Sequence, residues 1–302
     1  MDMAAPHRTN TAKAAAKKST GALGLADLLA NRKAPSLLLA DIRAHVVDTA
    51  RTGNEDRSAA LHPSDISRRD WCPRANLARL RGGVAPQRTT FTREVVFAHG
   101  HQAHERWQRW MAQMALLEGR WICQYCGARF YANAPKWCDC GSEDLKYDEL
   151  VLEDPDRMIE GRTDGYIPSR NALVEIKTVG EGTIRFADPK LLERHQFETP
   201  GGIVTDLKGA WNDIHRPFTS HLRQGQLYLY LARRKGLKAD RMVYIYESKL
   251  TQDAKEFVVS FDQSLIEPIL VSAREVALAY HGLFPDPACR FPGACKDCEA
   301  LA

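Results

Sequence analysis

The chain has 302 residues, 44% of them apolar, and carries 42 Lys and Arg against 38 Asp and Glu, a net charge of +4. That length and apolar content predict a globular protein of one large or two small domains with a sizeable core, and the charge is too mild to mark a nucleic-acid binder by itself. No run approaches the roughly 18–20 apolar residues of a membrane span, and the N-terminus lacks the apolar segment of a secretory signal, so a soluble, cytoplasmic protein with no membrane partner is expected.

In chain order, residues 1–35 mix Ala, Thr, Ser and Lys with little hydrophobic periodicity and read as a mobile basic tail. Residues 36–118 read as a helical N-terminal part. Within it, Leu61 to Leu80 resembles a capped helical turn, then Cys72-Pro73, then an arginine-rich helix. Val95 to Leu117 carries Trp107, Trp110, Met111 and Met114 at the spacing of an amphipathic stripe, with His104 one turn ahead of Trp107. A cysteine-rich island occupies residues 119–148.

Strand patterns then cover Glu149 to Leu152, Arg157 to Ile167 and Ala172 to Thr178, with Pro168-Ser169-Arg170-Asn171 as a turn between the last two. Gly180 to Pro217 is long and polar, as a lid or substrate wall would be. A helix follows through SHLRQGQLYLYLARRKG, then strands at Met242 to Glu247 and Phe257 to Phe261, and a helix from Ser264 to His281. The expected class is α/β, a mixed sheet flanked by helices, with residues 149–262 as its core and residues 263–302 as a C-terminal helix and cysteine segment.

The chemistry concentrates at GRTDG, residues 161–165, and VEIKT, residues 174–178. Side chains alternate along a strand, so Glu175 and Lys177 share one face and Asp164 can meet them across the turn. Two carboxylates and a strand carbonyl make a hard, oxygen-rich site for Mg²⁺ or Mn²⁺, and an adjacent ammonium suits chemistry at a phosphate. By itself D…ExK is short and common, and taken alone a surface Glu and Lys beside a turn aspartate is the better explanation. Two other stretches matter: GHQAHE, residues 100–105, where His104 offers an imidazole nitrogen, and HLRQGQLY, residues 221–228, where Gln224 and Tyr228 share a helix face.

Taken in order, Gly100 to Glu105, Gly161 to Asp164, Glu175 to Lys177 and His221 to Tyr228 resemble the motif series of the RecB-type PD-(D/E)XK nucleases. The resemblance implies a restriction-endonuclease-like fold, a catalytic metal held by His104, Asp164, Glu175 and the carbonyl of Ile176, a catalytic Lys177, and Gln224 and Tyr228 acting on water and DNA beside them. Gln226 and Tyr230 form an alternative register for the last pair.

The eight cysteines divide into two sets. Cys123, Cys126, Cys138 and Cys140 form two knuckles, CxxC and CxC, whose spacing predicts a closed structural zinc site in an inserted ribbon. The other set is Cys72 with Cys289, Cys295 and Cys298. An upstream cysteine joined to such a trio resembles the iron–sulfur staple of the CRISPR-associated RecB-type exonucleases (the Cas four type) and of the AddB nuclease domain, which implies a [4Fe–4S] cluster, although zinc also suits four thiolates. Closing a loop of roughly 217 residues costs on the order of 5 kcal/mol of chain entropy, which such a staple removes from folding.

The resemblance covers residues 60–302 and implies a bacterial or phage DNA exonuclease for single-stranded or end-frayed DNA, used in recombination, replication or CRISPR-type DNA processing beside the proteins of those pathways. The ribbon and the long interval from Lys177 to Gln224 depart from the minimal pattern. A flap or branch endonuclease and a non-catalytic DNA-binding assembly subunit are the competing readings. For DNA contacts the candidates are Arg68, Arg69, Arg74, Arg79 and Arg81 around Cys72, arginine being suited to phosphate. Tyr125, Phe130, Tyr131 and Trp137 of the ribbon are able to stack on bases, but a packing role is expected for most of them.

Overall fold

The computed structural model describes residues 38–50, 59–82 and 89–299. The tail expected over residues 1–35 lies outside them. The chain divides into two compact units, residues 1–48 and 49–302. Helix α1 (Leu39–Thr49) carries no buried residue. All elements described below belong to residues 49–302.

Helix α2 (Pro63–Ile66) and helix α3 (Pro73–Leu80) each start on a proline, whose fixed φ and missing N–H suit the first helical position. Between them, Trp71 and Cys72 are buried. Helix α4 (Phe91–Gln113) is capped by Thr90, whose side chain accepts from the Arg93 N–H. Its stripe differs from the expected one. Met111 is buried, but Trp110 and Met114 are 43% and 62% exposed. The helix ends at Gln113, leaving Met114 beyond its last turn, and two polar bonds fix its rotation: Arg106 and Trp107 both donate to the buried Glu247.

The ribbon follows as β1 (Glu118–Cys123), β2 (Arg129–Asn133) and β3 (Leu145–Tyr147), an antiparallel sheet in the order β2-β1-β3. Its base is apolar: Trp121 and Tyr147 pack with Met111 of α4 and with Leu117, Ile167, Val174 and Ile176. Strands β4 (Leu150–Asp154) and β5 (Ile159–Thr163) form an antiparallel pair. The long strand expected over Arg157 to Ile167 is broken, because Asp164 interrupts it and β6 (Gly165–Ile167) joins a different sheet.

That sheet has the order β11-β10-β7-β6, with β7 (Ala172–Val179), β10 (Arg241–Ser248) and β11 (Ala254–Ser260). Strands β7 and β10 run parallel, and the outer pairs are antiparallel. This is the mixed α/β architecture expected. On β7, Val174 and Ile176 join the cluster of the ribbon base and α4, while Leu173 joins the main core under α8 (Thr219–Arg234). Alternation therefore turns Glu175 toward the α8 side.

The polar segment after β7 is built of short elements: α5 (Glu181–Ala187), α6 (Pro189–Arg194), the hairpin β8 (Gln196–Thr199) and β9 (Gly202–Thr205), and α7 (Leu207–Asn212). Ile184, Leu191, Leu192, Ala210, Trp211 and Ile214 enter the main core, while Phe186, Phe197, Ile203 and Val204 stay exposed. No piece is long enough to show a helical period, so the sequence reads as loop. Helix α9 (Glu267–Tyr280) closes the core, and α10 (Lys296–Glu299) carries the last cysteine.

Candidate active site

Four elements converge on one point. Asp164 sits in the bend between β5 and β6, steadied by Thr163, whose hydroxyl donates to the Gly165 and Val174 carbonyls at 3.3 and 3.1 Å. One Asp164 oxygen, Oδ2, accepts the Ile176 N–H at 2.6 Å; the other, Oδ1, stands 3.2 Å from Nδ1 of His104 on α4. The ladder between β6 and β7 ends at Gly165 opposite Val174. A strand residue projects its N–H and C=O to the same edge, so the Ile176 carbonyl opens on the Asp164 side. Next to it, Lys177 Nζ lies 2.6 Å from Glu175 Oε1. Glu175 is 2% exposed, and its Oε2 is buried with no hydrogen-bond partner.

The fourth element is α8, where Gln224 and Tyr228 are both buried, with Gln224 Nε2 3.5 Å from the Tyr228 hydroxyl. Two glycines allow this approach. A Cβ on Gly161 would lie 2.8 Å from Tyr228 Cε1, and one on Gly225 would lie 2.1 Å from the Tyr244 hydroxyl. The alternative register is occupied elsewhere: Gln226 bridges the Ser260 carbonyl and the Asp262 N–H, and Tyr230 bonds Asp154 and Arg157.

The electrostatics follow from this crowding. Burial pushes the Glu175 carboxyl up to about 7, against the nearby Lys177 ammonium. Burial works against charge on Lys177, but Glu175 and Asp164 outweigh it and raise the pKa above the ordinary lysine value. His104 is likewise raised: burial opposes protonation and Asp164 prevails. Burial holds the Tyr228 phenol well above its ordinary range, with the Glu175 charge adding to it, and holds His221 well below its own. At neutral pH the site therefore presents an ammonium and a phenol as donors.

Glu149, which no motif reading picked out, lies in the same place. His104, Glu149 and Asp164 offer ligand atoms that all lie within 4.8 Å of one another. Burial and the charge of Asp164 push the Glu149 carboxyl to about 7. In the sequence it stands 12 residues before Gly161, outside every motif, and its only trace is an acid next to a strand.

Both cysteine sets also close. In the ribbon, Cys123 Sγ is 3.6 Å from Cys140 Sγ and Cys126 Sγ is 3.7 Å from Cys138 Sγ. In the other set, Cys72 Sγ is 3.9 Å from Cys289 Sγ and 3.5 Å from Cys298 Sγ, with Cys295 in the same group. Backbone N–H donors, the Cys126 N–H foremost, bring the Cys123 thiol down to about 6. For Cys72, burial pushes upward, but the Ala75 and Arg290 backbones outweigh it and bring it to about 7. The lowering does not extend across either set. At Cys138 and Cys140 of the ribbon, backbone donors pull downward, but burial and hydrogen bonds with the neighbouring thiols outweigh them, and burial with such bonds also raises Cys295 and Cys298 in the other set. Thiolates on one tetrahedral zinc, with Zn–S of about 2.3 Å, stand about 3.8 Å apart. Both sets have that spacing. In a [4Fe–4S] cluster each thiolate has its own iron, so the Cys72 set would have to spread to hold one.

The arginines around Cys72 are largely engaged internally. Arg68 pairs with Asp70 at 2.6 Å, Arg79 reaches Asp65 at 3.5 Å, and Arg81 pairs with Asp286 at 2.7 Å. Arg69 and Arg74 are exposed. Packing does not absorb most of the ribbon aromatics, contrary to expectation. Tyr125, Tyr131 and Trp137 are 81%, 52% and 62% exposed, and only Phe130 packs on the core. A three-stranded ribbon has no second layer to cover its far end.

No protein-family model matches the chain, and no curated protein matches it. Among solved structures it is similar to an alkaline exonuclease from Laribacter hongkongensis, at 10% identity over 74% of this chain and 89% of that one, TM-score 0.42. The LHK-Exo complex with dAMP gives 11% identity over the same shares, TM-score 0.39. A phage related exonuclease from Haemophilus somnus 129PT gives 17% identity over 43% of this chain and 57% of that one, TM-score 0.25. Likeness at this level leaves the activity to be argued from the site itself.

Proposed function

We propose that the chain is a divalent-metal-dependent deoxyribonuclease of RecB type, an exonuclease that hydrolyses phosphodiester bonds of single-stranded or end-frayed DNA. The observation that carries this reading is the convergence of His104, Asp164, Glu175 and Lys177 with the buried pair Gln224 and Tyr228. The residues fit a hard cation. Glu175 Oε2 is buried without a partner, a costly state that a cation relieves, and the donor set is oxygen-rich. His104, Asp164, Glu175 and the Ile176 carbonyl would hold Mg²⁺ or Mn²⁺. When bound, such an ion supplies a water of lowered pKa and neutralises charge on the phosphate.

The chain's own groups do the rest. The Lys177 ammonium stabilises charge on the phosphate oxygens as the water oxygen bonds to phosphorus and the bond to the leaving sugar oxygen breaks. It acts as a donor, because Glu175 and Asp164 keep its proton on. The Tyr228 phenol and the Gln224 amide orient water and the scissile phosphate from the α8 side. Neither cysteine set enters the reaction. The ribbon set holds zinc; the sulfur spacing of the Cys72 set suits zinc as well, and a [4Fe–4S] cluster there rests on the motif resemblance alone. The preference for free ends, the choice of DNA and a place in recombination, replication or CRISPR-type processing rest on the motif series alone.

The test is digestion of end-labelled single strands with Mg²⁺ or Mn²⁺. Lys177→Ala is expected to lower the rate by about two to three orders of magnitude, as removal of a transition-state donor does. Cleavage by that variant at the wild-type rate would sink the mechanism. Efficient cutting of a closed circular single strand would replace the exonuclease reading with the endonuclease one. Metal-loaded protein that cuts neither substrate would favour the assembly subunit.

A further inference from the structure

We infer that Glu149 is a protein ligand of the catalytic cation, a role outside the recognised motif series, and that the ribbon delivers it. The inference rests on the metal-dependent reading above. Its ground is geometric: the Glu149 carboxylate, the His104 imidazole and Asp164 lie within 4.8 Å of one another. Glu175 lies outside that 4.8 Å group but close enough for its charge to act on His104 and to be acted on by Asp164, and it leaves a buried oxygen unpartnered.

Three further observations turn Glu149 inward. Gln108, one helical turn after His104 on α4, is buried and donates from Nε2 both to the Asp164 main-chain carbonyl at 3.0 Å and to Glu149 Oε1 at 3.4 Å. One side chain thus fixes both carboxylate-bearing segments against the helix that carries His104. Gln108 engages one Glu149 oxygen and leaves the carboxylate with further acceptor capacity.

Second, Glu149 has φ 54°, a left-handed conformation in which glycine or asparagine is the easier residue. A long acid held in such a conformation points to a task for its side chain. Third, Glu149 is the second residue after β3, at the exit of the ribbon, and Tyr147 at the end of that strand is buried against Trp121 with rings 5.3 Å apart. The ribbon base therefore sets where the acid enters the site. With an imidazole nitrogen and three carboxylates, the completed set suits Mn²⁺ at least as well as Mg²⁺.

The experiment is Mn²⁺ titration of the full chain, reading free Mn²⁺ by electron paramagnetic resonance, for wild type, Glu149→Gln, Asp164→Asn and Glu153→Gln. Glu153 is exposed on β4 and controls for loss of one negative charge. Glu149→Gln is expected to weaken Mn²⁺ binding at least tenfold, with Glu153→Gln unchanged and the metal-free melting temperature of Glu149→Gln no lower than wild type. If Glu149→Gln does not fold, Glu149→Asp, which keeps the carboxylate one methylene shorter, is expected to show an intermediate loss. An isotherm for Glu149→Gln, or for Glu149→Asp where that variant stands in, that superimposes on wild type overturns the inference. If Asp164→Asn alone loses binding, Glu149 is not a ligand and the metal reading stands. If wild type binds no Mn²⁺, both fall.

Discussion

The ribbon's cysteine cluster and the other two side-chain clusters are assembled in opposite ways. The ribbon's four thiolates come from 18 consecutive residues, Cys123 to Cys140, and their knuckles are closed by local bonds such as Gly127 N–H to the Cys123 carbonyl. The Cys72 set reaches across 226 residues to Cys298, and the carboxylate centre draws on α4, β7, α8 and the β5–β6 bend. A local site depends on little beyond itself. A non-local one needs the whole fold to be in register, so damage to it and damage to the fold go together.

Cys298→Ser tests the long-range side of that contrast and has the largest expected effect. It opens a staple worth on the order of 5 kcal/mol of chain entropy, a sizeable share of a domain's stability. The expected outcome is loss of the bound group and a melting temperature lower by roughly 10–20 °C. Retention of both would break the comparison. The same preparation identifies the group. A broad visible absorption and iron lost with Cys298→Ser would mark a cluster, whereas a second zinc lost would follow the sulfur spacing of 3.5 and 3.9 Å.

The carboxylate centre gives a pH test. Glu149 and Glu175 titrate near 7 in the folded chain, raised from an ordinary 4.5, so between those values the folded state holds protons that the unfolded state has released. Stability of the metal-free protein is then expected to fall as pH rises through that window. A divalent ion reverses the trend, because it competes with those protons. Thermal melts with and without Mn²⁺ across the window check this, and a stabilising increment that did not grow with pH would contradict it.

For the local side, Cys126→Ser is expected to release zinc and expose the residues 124–144 tip to protease. The main melting transition should move little, because the ribbon base is held by Trp121 and Tyr147 in the core around Met111. A collapse of the whole fold would show that the ribbon is not the self-contained element described above.

The same division explains what the sequence disclosed. Local spacing was readable: the cysteine knuckles, the turn before β7, and the alternation that sets Glu175 and Lys177 apart from Ile176. Gln224 and Tyr228 were readable as a shared helix face, but only Gly161 and Gly225 show why that face approaches the site. What escaped was non-local. In the sequence Asp164 reads as mid-strand; in the fold it is a bend, because Thr163 caps two carbonyls of separate segments. Glu149 lies at a junction whose direction depends on the ribbon. The exposure of Trp110 follows from bonds to Glu247, 140 residues beyond its neighbour Trp107.

Glu247 supplies the mildest test of the non-local site. It is 2% exposed, receives Arg106 at 2.5 and 2.6 Å and Trp107 Nε1 at 2.7 Å, and so locks the α4 turn that carries His104 against β10. It is not among the proposed ligands, and its bonds to Arg106 and Trp107 give it a positioning role. Glu247→Gln keeps the shape but removes a charge-assisted acceptor, a change of about 1–3 kcal/mol in a buried hydrogen bond. Because Arg106 is 33% exposed and water can partly replace the lost bond, the lower end of that range is expected in stability. The informative readout is Mn²⁺ affinity. If the clamp sets the position of His104, affinity falls several-fold in Glu247→Gln and Glu247→Asp recovers part of it. If stability falls and affinity does not, the carboxylate centre is more self-sufficient than its dispersed origin implies, and closer in kind to the ribbon.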